Sequence, residues 1–280
     1  MSVLDRVRDS STKLTGAERK VADVVIADPR VVAFGTVAEV AALAQTSGPS
    51  VVRFAAKLGF DGFVGLQAAV QSELASRLAP AAERIRERSS SDVLGRAIDA
   101  EVANVRTTLA DIDRDVFQGA VDHLADRHRA VWVLAGEMSD GVGRMLALQL
   151  DALRDGVRRI SGTPLAVARN LAEIRPGDVV VAIDFRRYEQ WVVESLTAAV
   201  QAGASVIAIT DRVLSPLAEV ADHTFVVTAA SVSPFDSHVG TMALANAFVA
   251  GVASRLRRTA MARLDVIETA WANALTPSED

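Results

Sequence analysis

The sequence predicts an all-α domain followed by an α/β domain with a parallel sheet covered by helices on both faces. Between Leu14 and Leu78, apolar residues recur at helical spacing. After residue 129, short apolar runs alternate with helical patterns, and this alternation is typical of a parallel sheet buried on both sides. The 280 residues are enough for two such domains, each with its own hydrophobic core.

The composition excludes several classes of protein. The chain has no cysteine, so it is not a disulfide-stapled module, a zinc–cysteine or iron–sulfur protein, or an enzyme with a cysteine nucleophile. Half of the residues are hydrophobic, which argues against disorder. The formal net charge of -5 divides unevenly, because residues 1–80 carry +1 and the remainder carries -6. The acidity therefore does not argue against nucleic-acid binding by the N-terminal domain.

The short helices of the N-terminal domain have recognisable ends. Thr15 followed by Glu18 forms a capping box for the first helix, and Asp28-Pro29 ends it. Thr36 can cap the next helix, again with a glutamate three residues later.

Residues 80–93 form the predicted junction between the domains. Pro80 breaks the preceding helix, and a dense charge cluster over 83–88 is typical of a solvated helix face. Asp92 is positioned to cap a further helix that runs to residue 110. We therefore assign residues 1–80 to the N-terminal domain, 81–110 to a helical linker and 111–280 to the α/β domain.

Four apolar runs predict the strands of the α/β domain, over residues 130–135, 179–183, 205–209 and 224–227. Helical patterns follow the first three runs, over residues 141–154, 192–202 and 214–220. The longest charge-free stretch, over residues 237–254, contains His238, Thr241 and Asn246. These polar groups predict a buried helix rather than a membrane span.

A tight turn separates two of the short N-terminal helices. Ser47 suits the N-cap of the second helix, and Pro49 falls in its first turn, where a missing N–H is tolerated. On that helix Ser50, Arg53 and Lys57 share one face, which carries two cations and no acid. Such a face suits a recognition helix in a DNA major groove, because Arg can form two hydrogen bonds to guanine and Lys can reach phosphates. The alternative is an ordinary amphipathic helix with exposed basic residues.

Three stretches of the N-terminal domain form a recognisable pattern: residues 18–23 (ERKVAD), 38–41 (AEVA) and 50–60 (SVVRFAAKLGF), after which Gly62-Phe63 opens a helix. Through them the segment resembles the helix-turn-helix domain of RpiR-type bacterial transcription regulators. The resemblance implies that double-stranded DNA is contacted by Ser47, Ser50, Arg53 and Lys57. The turn of this family usually has glycine where this chain has Gln45, so a positive φ at Gln45 would cost about 1 kcal/mol.

The loop after the first predicted strand runs Gly136-Glu137-Met138-Ser139-Asp140 and leads into a helix. Glycine permits a sharp turn, and exposed N–H groups at a helix N-terminus attract an anion, to which Ser139 can donate. A plain turn capped by Ser139 or Asp140 is equally compatible with these residues. The loop is neither a P-loop, because Gly-Lys-Ser/Thr is absent, nor a dinucleotide fingerprint.

Further landmarks accompany this loop: residues 176–183 (PGDVVVAI), 202–211 (AGASVIAITD), 215–218 (SPLA) and 221–222. Through them, residues from about 110 to 265 resemble a sugar isomerase (SIS) domain, the usual partner of the RpiR-type DNA-binding module. The resemblance implies an all-α helix-turn-helix domain followed by an α/β SIS domain. It also implies a phosphosugar over the strand ends, held by hydroxyls and backbone N–H groups of two loops. The first loop supplies Gly136, Met138 and Ser139 as effector-binding candidates.

The second of these loops departs from the family. Where the family is rich in Ser, Gly and Thr, residues 184–189 read DFRRYE. Arginine can clamp a carboxylate or phosphate through two hydrogen bonds, so we expect an anionic effector with altered selectivity. The effector-binding candidates here are Asp184, Arg186, Arg187 and Tyr188. Alternatively, the arginines pair with local acids such as Asp184 and Glu189 and leave a degenerate pocket.

A third loop, residues 231–238, precedes the long apolar helix and closes near the ligand in the family. Ser231, Ser233 and Ser237 are candidates here, and we retain Ser233 in the predicted effector set. The alternative is a polar loop in which Ser or Asp caps the following helix.

These residues favour sensing over catalysis. The four histidines lack metal-ligand spacing. Glu137 and His238 could supply the acid or base that an isomerase needs, and the alternative is that each is a loop residue without that role. We expect no metal, no cofactor and no enzymatic activity. The alternative is a sugar-phosphate isomerase-like enzyme with a helical N-terminal extension.

The predicted function is that of a DNA-binding transcriptional regulator whose SIS domain senses a small anionic metabolite, a phosphosugar or related acid. Its expected partners are a double-stranded DNA operator, the metabolite and further copies of the chain, in a homodimer or homotetramer. The first twenty residues contain no apolar targeting segment, so we expect a cytoplasmic protein.

Overall fold

The structure is a computed structural model and describes residues 3–10, 14–78, 92–213 and 215–275. The chain divides into two compact units, Met1–Ser89 and Ser90–Asp280. The break predicted at Pro80 and the charge cluster over 83–88 lie outside the described residues.

The described part of the first unit is helical, as the sequence predicts. Its helices are α1 (Val3–Ser10), α2 (Gly16–Ala27), α3 (Pro29–Phe34), α4 (Val37–Leu43), α5 (Gly48–Lys57) and α6 (Gly62–Leu78). Thr15 and Thr36 each cap a helix through a capping box with the glutamate three residues later, as predicted. Asp28 is the C-cap of α2 and the N-cap of α3, and its carboxylate accepts a hydrogen bond from the Arg30 N–H.

These helices share one hydrophobic core. Its completely buried side chains are Val21, Val32, Ala33, Val40, Val51, Phe54, Ala55 and Leu66. Helices as short as α3 and α4, with 6 and 7 residues, are unstable in isolation. Burial of their apolar faces in this core therefore supplies most of their stability.

The second unit begins with α7 (Val93–Ala110) and α8 (Arg114–Ala125). Asp92 caps α7 as predicted, because its carboxylate accepts a hydrogen bond from the Gly95 N–H at 2.9 Å. The predicted linker over 81–110 is helical from Val93 onward, but this helix belongs to the second unit rather than to a separate segment.

Two buried polar side chains of α7 explain its place in the second unit. Asn104 is completely buried, donates to the Ala230 carbonyl at 2.7 Å and accepts from the Ala230 N–H at 3.1 Å. Thr108 accepts a hydrogen bond from the Thr228 N–H at 3.0 Å. Because buried amides and hydroxyls must find partners, these bonds fix the position of α7 against the chain that follows the last strand.

Five parallel strands form one sheet in the order β2-β1-β3-β4-β5. The strands are β1 (Val131–Ala135), β2 (Val157–Ile160), β3 (Val179–Ile183), β4 (Ser205–Thr210) and β5 (His223–Val226). The four predicted strands are present, with ends that differ by one residue at most. β2 was missed because Arg158 and Arg159 interrupt its apolar pattern, and an edge strand tolerates such partly exposed side chains.

Helices cover both faces of the sheet, as predicted. They include α9 (Asp140–Leu153), α10 (Pro164–Ala172), α11 (Gln190–Gln201), α12 (Val239–Arg255) and α13 (Arg257–Leu275). Neighbouring residues of β1 enter two separate cores, because alternate side chains of a strand point to opposite faces. Val133 packs in the core that contains Leu146 and Phe248, whereas Trp132 packs in the core that contains Leu196.

A buried arginine joins the end of α9 to the segment that leads into β1. Arg154 is completely buried, and its guanidinium donates to the carbonyls of Leu124 at 2.5 Å, Asp126 at 2.9 Å and Asp155 at 3.0 Å, and to that of Arg129. The side chain therefore satisfies four backbone acceptors at once.

One predicted helix is wrong. Instead of a helix over residues 214–220, the structure has a 3₁₀ turn at Ala218–Val220, and Leu214 lies outside the described residues. Pro216 has no N–H to donate to a helix, and Ser215 Oγ accepts from the Ala218 N–H at 3.0 Å.

Most of the charge-free stretch over 237–254 lies in α12, whose buried side chains include Leu244, Phe248 and Val252, as predicted. Across the described ranges, no individual helix has the length and apolar character needed to cross a membrane. α12 and α13 meet that criterion only as a pair bent by 107°.

Candidate functional site

Helices α4 and α5 and the turn between them form the predicted helix-turn-helix. Gln45 in the turn has a φ of +48°, the left-handed conformation that glycine adopts without strain. The turn therefore keeps the shape expected of glycine at the cost of backbone strain. Ser47 is the N-cap residue of α5, as predicted, but its side chain makes no capping hydrogen bond.

The predicted DNA-contact residues of α5 form a chain of hydrogen bonds. Ser47 Oγ lies 3.0 Å from Ser50 Oγ, which accepts a hydrogen bond from Arg53 Nη2 at 2.9 Å. Ser47 and Arg53 are exposed, whereas Ser50 is only 4% exposed. Ser50 therefore lies below the surface of the helix and positions the Arg53 guanidinium.

Lys57, the fourth candidate, is held by another helix. Its Nζ lies 2.6 Å from Oε2 of Glu18 on α2, and Glu18 is 3% exposed. The Lys57 hydrogen bond, together with the Thr15 N–H, lowers the pKa of Glu18 to about 2. The face of α5 itself carries no acid, as its sequence shows, but α2 brings the Glu18 carboxylate to Lys57.

The carboxyl ends of neighbouring strands bring the predicted effector loops together. Ala135 of β1 pairs with Ile183 of β3, which pairs with Ile209 of β4. The loops over 136–139 and 184–189 therefore leave the sheet side by side. Ligands of open parallel sheets bind at this edge.

A carboxylate of the chain itself occupies the first loop. Glu189 Oε1 accepts a hydrogen bond from the backbone N–H of Glu137, and Oε2 accepts one from Trp191 Nε1 at 2.6 Å. A Cβ added at Gly136 would lie 2.8 Å from Glu189 Oε1, so only glycine permits this approach. The first loop thus binds an anionic group, and that group is Glu189.

Asp184 organises the backbone of the second loop. Its Oδ1 accepts from the Phe185 N–H and its Oδ2 from the Glu189 N–H, both at 2.9 Å. Asp184 is 6% exposed, and burial raises its pKa to about 6 because the charged form loses its hydration. The carboxyl group therefore shapes the loop from inside.

The predicted arginine clamp is engaged by the third loop. Arg186 Nε lies 2.7 Å from Asp236 Oδ2, and the Arg186 side chain is only 8% exposed. The alternative drawn from the sequence was that the arginines pair with local acids such as Asp184 and Glu189. The partner of the Arg186 side chain is instead Asp236, from the third loop. Arg187 is exposed and has a φ of +63°, which makes it the second non-glycine residue with positive φ in the described ranges.

Tyr188 connects the second loop to the end of β4. Its hydroxyl donates to Asp211 Oδ1 at 2.6 Å, and the same oxygen accepts from the Arg186 N–H at 3.2 Å. Burial, with the negative charge of Asp211, raises the pKa of Tyr188 above its usual range, so the phenol remains a neutral donor. Arg212 Nε lies 3.3 Å from the other Asp211 oxygen.

The remaining candidates differ in their surroundings. Ser139 is 1% exposed, whereas Met138 is 65% exposed. Ser233 Oγ donates to the Phe235 carbonyl at 3.1 Å, a bond within the third loop. His238, one of the two acid–base candidates, stacks on Phe185, and burial lowers its pKa. In the part of the chain that the structure describes, no cluster of His, Asp and Glu is arranged to hold a metal ion.

Three acids that hold the loops were not among the predicted site residues: Glu189, Asp211 and Asp236. Each of these acids follows a different strand. Because ligands of parallel sheets bind at the strand ends, polar residues that follow successive strands were the sequence signal that indicates them. Their pairings were not visible in the sequence, because Asp211 and Asp236 contact Arg186 across 25 and 50 positions.

Known protein families match the chain in both of its units. Residues 1–77 match the family model for the helix-turn-helix domain, rpiR family, and residues 123–251 match the one for the SIS domain. An HTH-type transcriptional regulator of Caldanaerobacter subterraneus subsp. tengcongensis is 27% identical over 226 residues, which is 79% of this chain and 78% of the relative. The bifunctional protein glk of Burkholderia thailandensis is 27% identical over 224 residues, and the match spans only 34% of its length.

Two solved structures share the fold. The sugar isomerase domain of the RpiR transcription factor from Sphaerobacter thermophilus has a TM-score of 0.58 at 27% identity, covering 64% of this chain and 99% of that one. The NanR protein of Vibrio vulnificus, complexed with ManNAc-6P, has a TM-score of 0.58 at 21% identity, covering 98% and 100%. The chain therefore belongs to the RpiR family of helix-turn-helix transcriptional regulators and has a SIS domain as its C-terminal part.

Proposed function

We propose that the SIS domain of this regulator binds a small anionic metabolite, a phosphosugar or related acid, at the carboxyl ends of β1, β3 and β4. The bound metabolite changes the affinity of the protein for a DNA operator. The observation that carries the proposal is the hydrogen bond from the Glu137 N–H to the Glu189 carboxylate, because it places a negative charge on the loop where the effector phosphate is expected. The ManNAc-6P complex of Vibrio vulnificus NanR supports a phosphosugar as the effector class.

On the DNA side, Arg53 is the residue that we assign to base recognition. Its guanidinium is exposed and is already oriented by Ser50, so less side-chain entropy is lost on binding. Ser47 is exposed at the start of α5 and can donate to a phosphate. The Lys57 side chain is 38% exposed and forms an ion pair with Glu18, which partly neutralises its charge. Its contribution to DNA affinity is therefore smaller than that of Arg53.

The regulator acts in the cytoplasm as a homodimer or homotetramer. Residues 1–80 carry a formal charge of only +1, so a single DNA-binding domain has weak electrostatic attraction for DNA. Joining two such domains through their SIS domains makes the second contact intramolecular and raises the affinity. The metabolite then favours one arrangement of the two DNA-binding domains over another.

Fluorescence anisotropy with the DNA that flanks its own gene tests DNA recognition. Arg53→Ala should weaken binding about tenfold or more, the usual value of a two-hydrogen-bond contact to guanine. Arg30→Ala is the matched control, because Arg30 is an exposed arginine of the same unit that pairs locally with Asp28. Equal losses in the two variants would contradict the assignment of α5 as the recognition helix.

Thermal unfolding and DNA binding in the presence of ManNAc-6P and other hexose phosphates test the effector class. A phosphorylated sugar should raise the melting temperature and shift the DNA affinity, whereas the matching unphosphorylated sugar should do neither. Identical behaviour with both forms would refute an anionic effector and leave DNA binding intact.

Enzymatic activity is not part of this proposal. The relatives that support this are regulators, in one case a transcription factor with a sugar isomerase domain. Incubation of the protein with hexose phosphates, followed by NMR of the sugar, checks this point. Turnover by a protein that fails to bind DNA at low salt would favour the isomerase-like alternative.

A further inference from the structure

The carboxylate of Glu189 lies where an anionic ligand is expected to meet the first loop. We propose that Glu189 is the specificity-determining residue of the effector site: an anion binds only by displacing the Glu189 carboxylate from the Glu137 N–H. This inference rests on the proposed function, because it takes the effector to be anionic and bound at the strand ends.

Glu189 stands at the N-cap of its helix, but its carboxylate does not cap that helix. Glu189 is the N-cap residue of α11, where an acidic side chain ordinarily accepts a hydrogen bond from its own helix, yet it makes no such bond. It reaches instead to the Glu137 N–H, 52 positions away, and to the Trp191 indole. Both carboxylate oxygens are thereby occupied outside the helix cap.

The loop allows the side chain to leave without unfolding. The backbone N–H of Glu189 is held separately by Asp184 Oδ2 at 2.9 Å, and this bond does not depend on the position of the Glu189 carboxylate. A change of the Glu189 side-chain torsions is therefore enough to vacate the Glu137 N–H. The N-terminus of α11, where Glu189 makes no side-chain cap, offers the displaced carboxylate backbone N–H donors of its own helix.

Two anions cannot share this place. Glu189 Oε1 already accepts the Glu137 N–H and approaches Gly136 more closely than a Cβ there would allow, so a phosphate cannot accept the same N–H while the carboxylate stays. Like charges in such contact also repel each other strongly. A bare phosphate must therefore compete with the internal carboxylate, whereas a larger ligand can offset that cost through its other hydrogen bonds. The consequence is discrimination against inorganic phosphate in favour of anions that carry further polar groups.

Titration of the full-length protein with inorganic phosphate, followed by calorimetry, tests the inference. We expect Glu189→Gln, which keeps the shape but not the charge, and Glu189→Ala, which empties the place, to bind phosphate about tenfold more tightly than wild type. Glu194→Gln is the matched control, because Glu194 is an exposed acid of the same helix that accepts a hydrogen bond from its neighbour Gln190. It should bind phosphate as the wild type does.

Tryptophan fluorescence gives a second readout that affinity alone does not. Displacement of Glu189 removes the acceptor of Trp191 Nε1, so saturating phosphate should change the emission of the wild type but not that of Trp191→Phe. In Glu189→Ala, phosphate should bind without this change, because the acceptor is already gone.

The outcomes separate the inference from the proposed function. Measurable phosphate binding with equal or lower affinity in both Glu189 variants refutes the displacement and leaves an anionic effector in place. No phosphate binding by any variant refutes the displacement, because the vacated loop then takes no anion. The titration with ManNAc-6P and its unphosphorylated form decides separately whether the effector is anionic. Circular dichroism confirms folding, and if Glu189→Ala fails to fold, Glu189→Gln decides.

Discussion

Lys57 on α5 forms an ion pair with Glu18 on α2, with 2.6 Å between Nζ and Oε2. The same Glu18 oxygen accepts the Thr15 N–H at 2.8 Å and completes the capping box of α2. One buried carboxylate therefore both begins a helix and fixes the end of α5. The orientation of the proposed recognition helix therefore depends on a residue of another helix, 39 positions from Lys57 in the sequence.

Replacing Glu18 should destabilise the first unit substantially. Glu18→Gln removes the buried negative charge that pairs with the Lys57 ammonium, and we expect a loss of about 2 kcal/mol in the free energy of unfolding. Glu39→Gln is the control, because Glu39 completes the same kind of capping box on α4 but at an exposed position. Chemical denaturation measures both. A cost for Glu39→Gln that matches that of Glu18→Gln would show that the cap, and not the ion pair, is responsible.

The effect of Glu18 should depend on pH in a defined direction. Its pKa is about 2 in the folded protein, against an ordinary value of 4.5, so the folded state favours the ionised form. Its stabilisation is present above pH 4.5 and is lost as the pH falls towards about 2. The difference in unfolding free energy between wild type and Glu18→Gln should therefore be constant above pH 4.5 and shrink below it. A difference that persists at pH 2 would contradict the lowered pKa.

The strained turn before α5 can be relieved by one substitution. Gln45 has a φ of +48°, which glycine adopts without strain. Gln45→Gly should raise the free energy of unfolding by up to about 1 kcal/mol, part of which is offset by the greater entropy of glycine in the unfolded chain. Gln45→Ala should give no gain, because alanine has the same restriction. Thermal unfolding distinguishes the two variants, and equal stability of both would show that the turn is not strained.

Elements that depend on neighbouring residues were predictable from the sequence. The capping boxes at Thr15 and Thr36 require only a residue and its third successor, and β3 needs only a continuous apolar run. β2 was missed because it lies at the edge of the sheet, where Arg158 and Arg159 remain partly exposed. A strand of this kind is recognisable only once its partner β1 is known.

The position of the candidate effector loops was predictable, but the contacts that their side chains make were not. The order of apolar runs was enough to bring the loops after β1 and β3 to one edge of the sheet. Which acid faces which donor depends on side-chain directions in loops that no periodicity describes. The Glu189 carboxylate at the Glu137 N–H and the Asp236 carboxylate at Arg186 are two such pairings.

Glycine at the first loop should be essential for this arrangement. A Cβ at Gly136 would meet Asp184 Oδ1 at 2.6 Å and Glu189 Oε1 at 2.8 Å, so Gly136→Ala forces at least one carboxylate to move. We expect a loss of about 1–3 kcal/mol in unfolding free energy and an altered Trp191 emission. Gly141→Ala is the control, because nothing lies within 4 Å of a Cβ at that position. Unchanged fluorescence in Gly136→Ala would mean that the Glu189–Trp191 contact tolerates the methyl group.

The buried Arg154 should contribute strongly to the stability of the second unit. Arg154→Met keeps most of the side-chain volume but leaves the carbonyls of Leu124, Asp126, Arg129 and Asp155 without this donor. We expect a loss of about 2 kcal/mol or more, because a buried acceptor such as the Leu124 carbonyl loses its guanidinium donor, although the Asp126 carbonyl keeps the Arg129 N–H. Arg169→Met, at an exposed position near the end of α10, should be nearly neutral. Urea denaturation of both variants tests the contrast, and a small cost for Arg154→Met would show that water replaces the guanidinium.

Asp184 should give the second unit a pH dependence opposite in sign to that of Glu18. Burial raises the pKa of Asp184 from 3.8 to about 6, so the folded state favours its protonated form. The stability that this preference provides is complete below pH 3.8 and is lost as the pH rises through about 6. Wild type should therefore lose stability relative to Asp184→Asn between these two pH values. The difference between the proteins isolates Asp184, because every other ionisable group is present in both, and Glu18, with a pKa of about 2, is ionised in both over this range. Denaturant unfolding at several pH values measures how the free energy of unfolding of each protein changes with pH. If the wild type became more stable than the variant as the pH rises, the hydrogen bonds from the Phe185 and Glu189 N–H groups would outweigh the effect of burial.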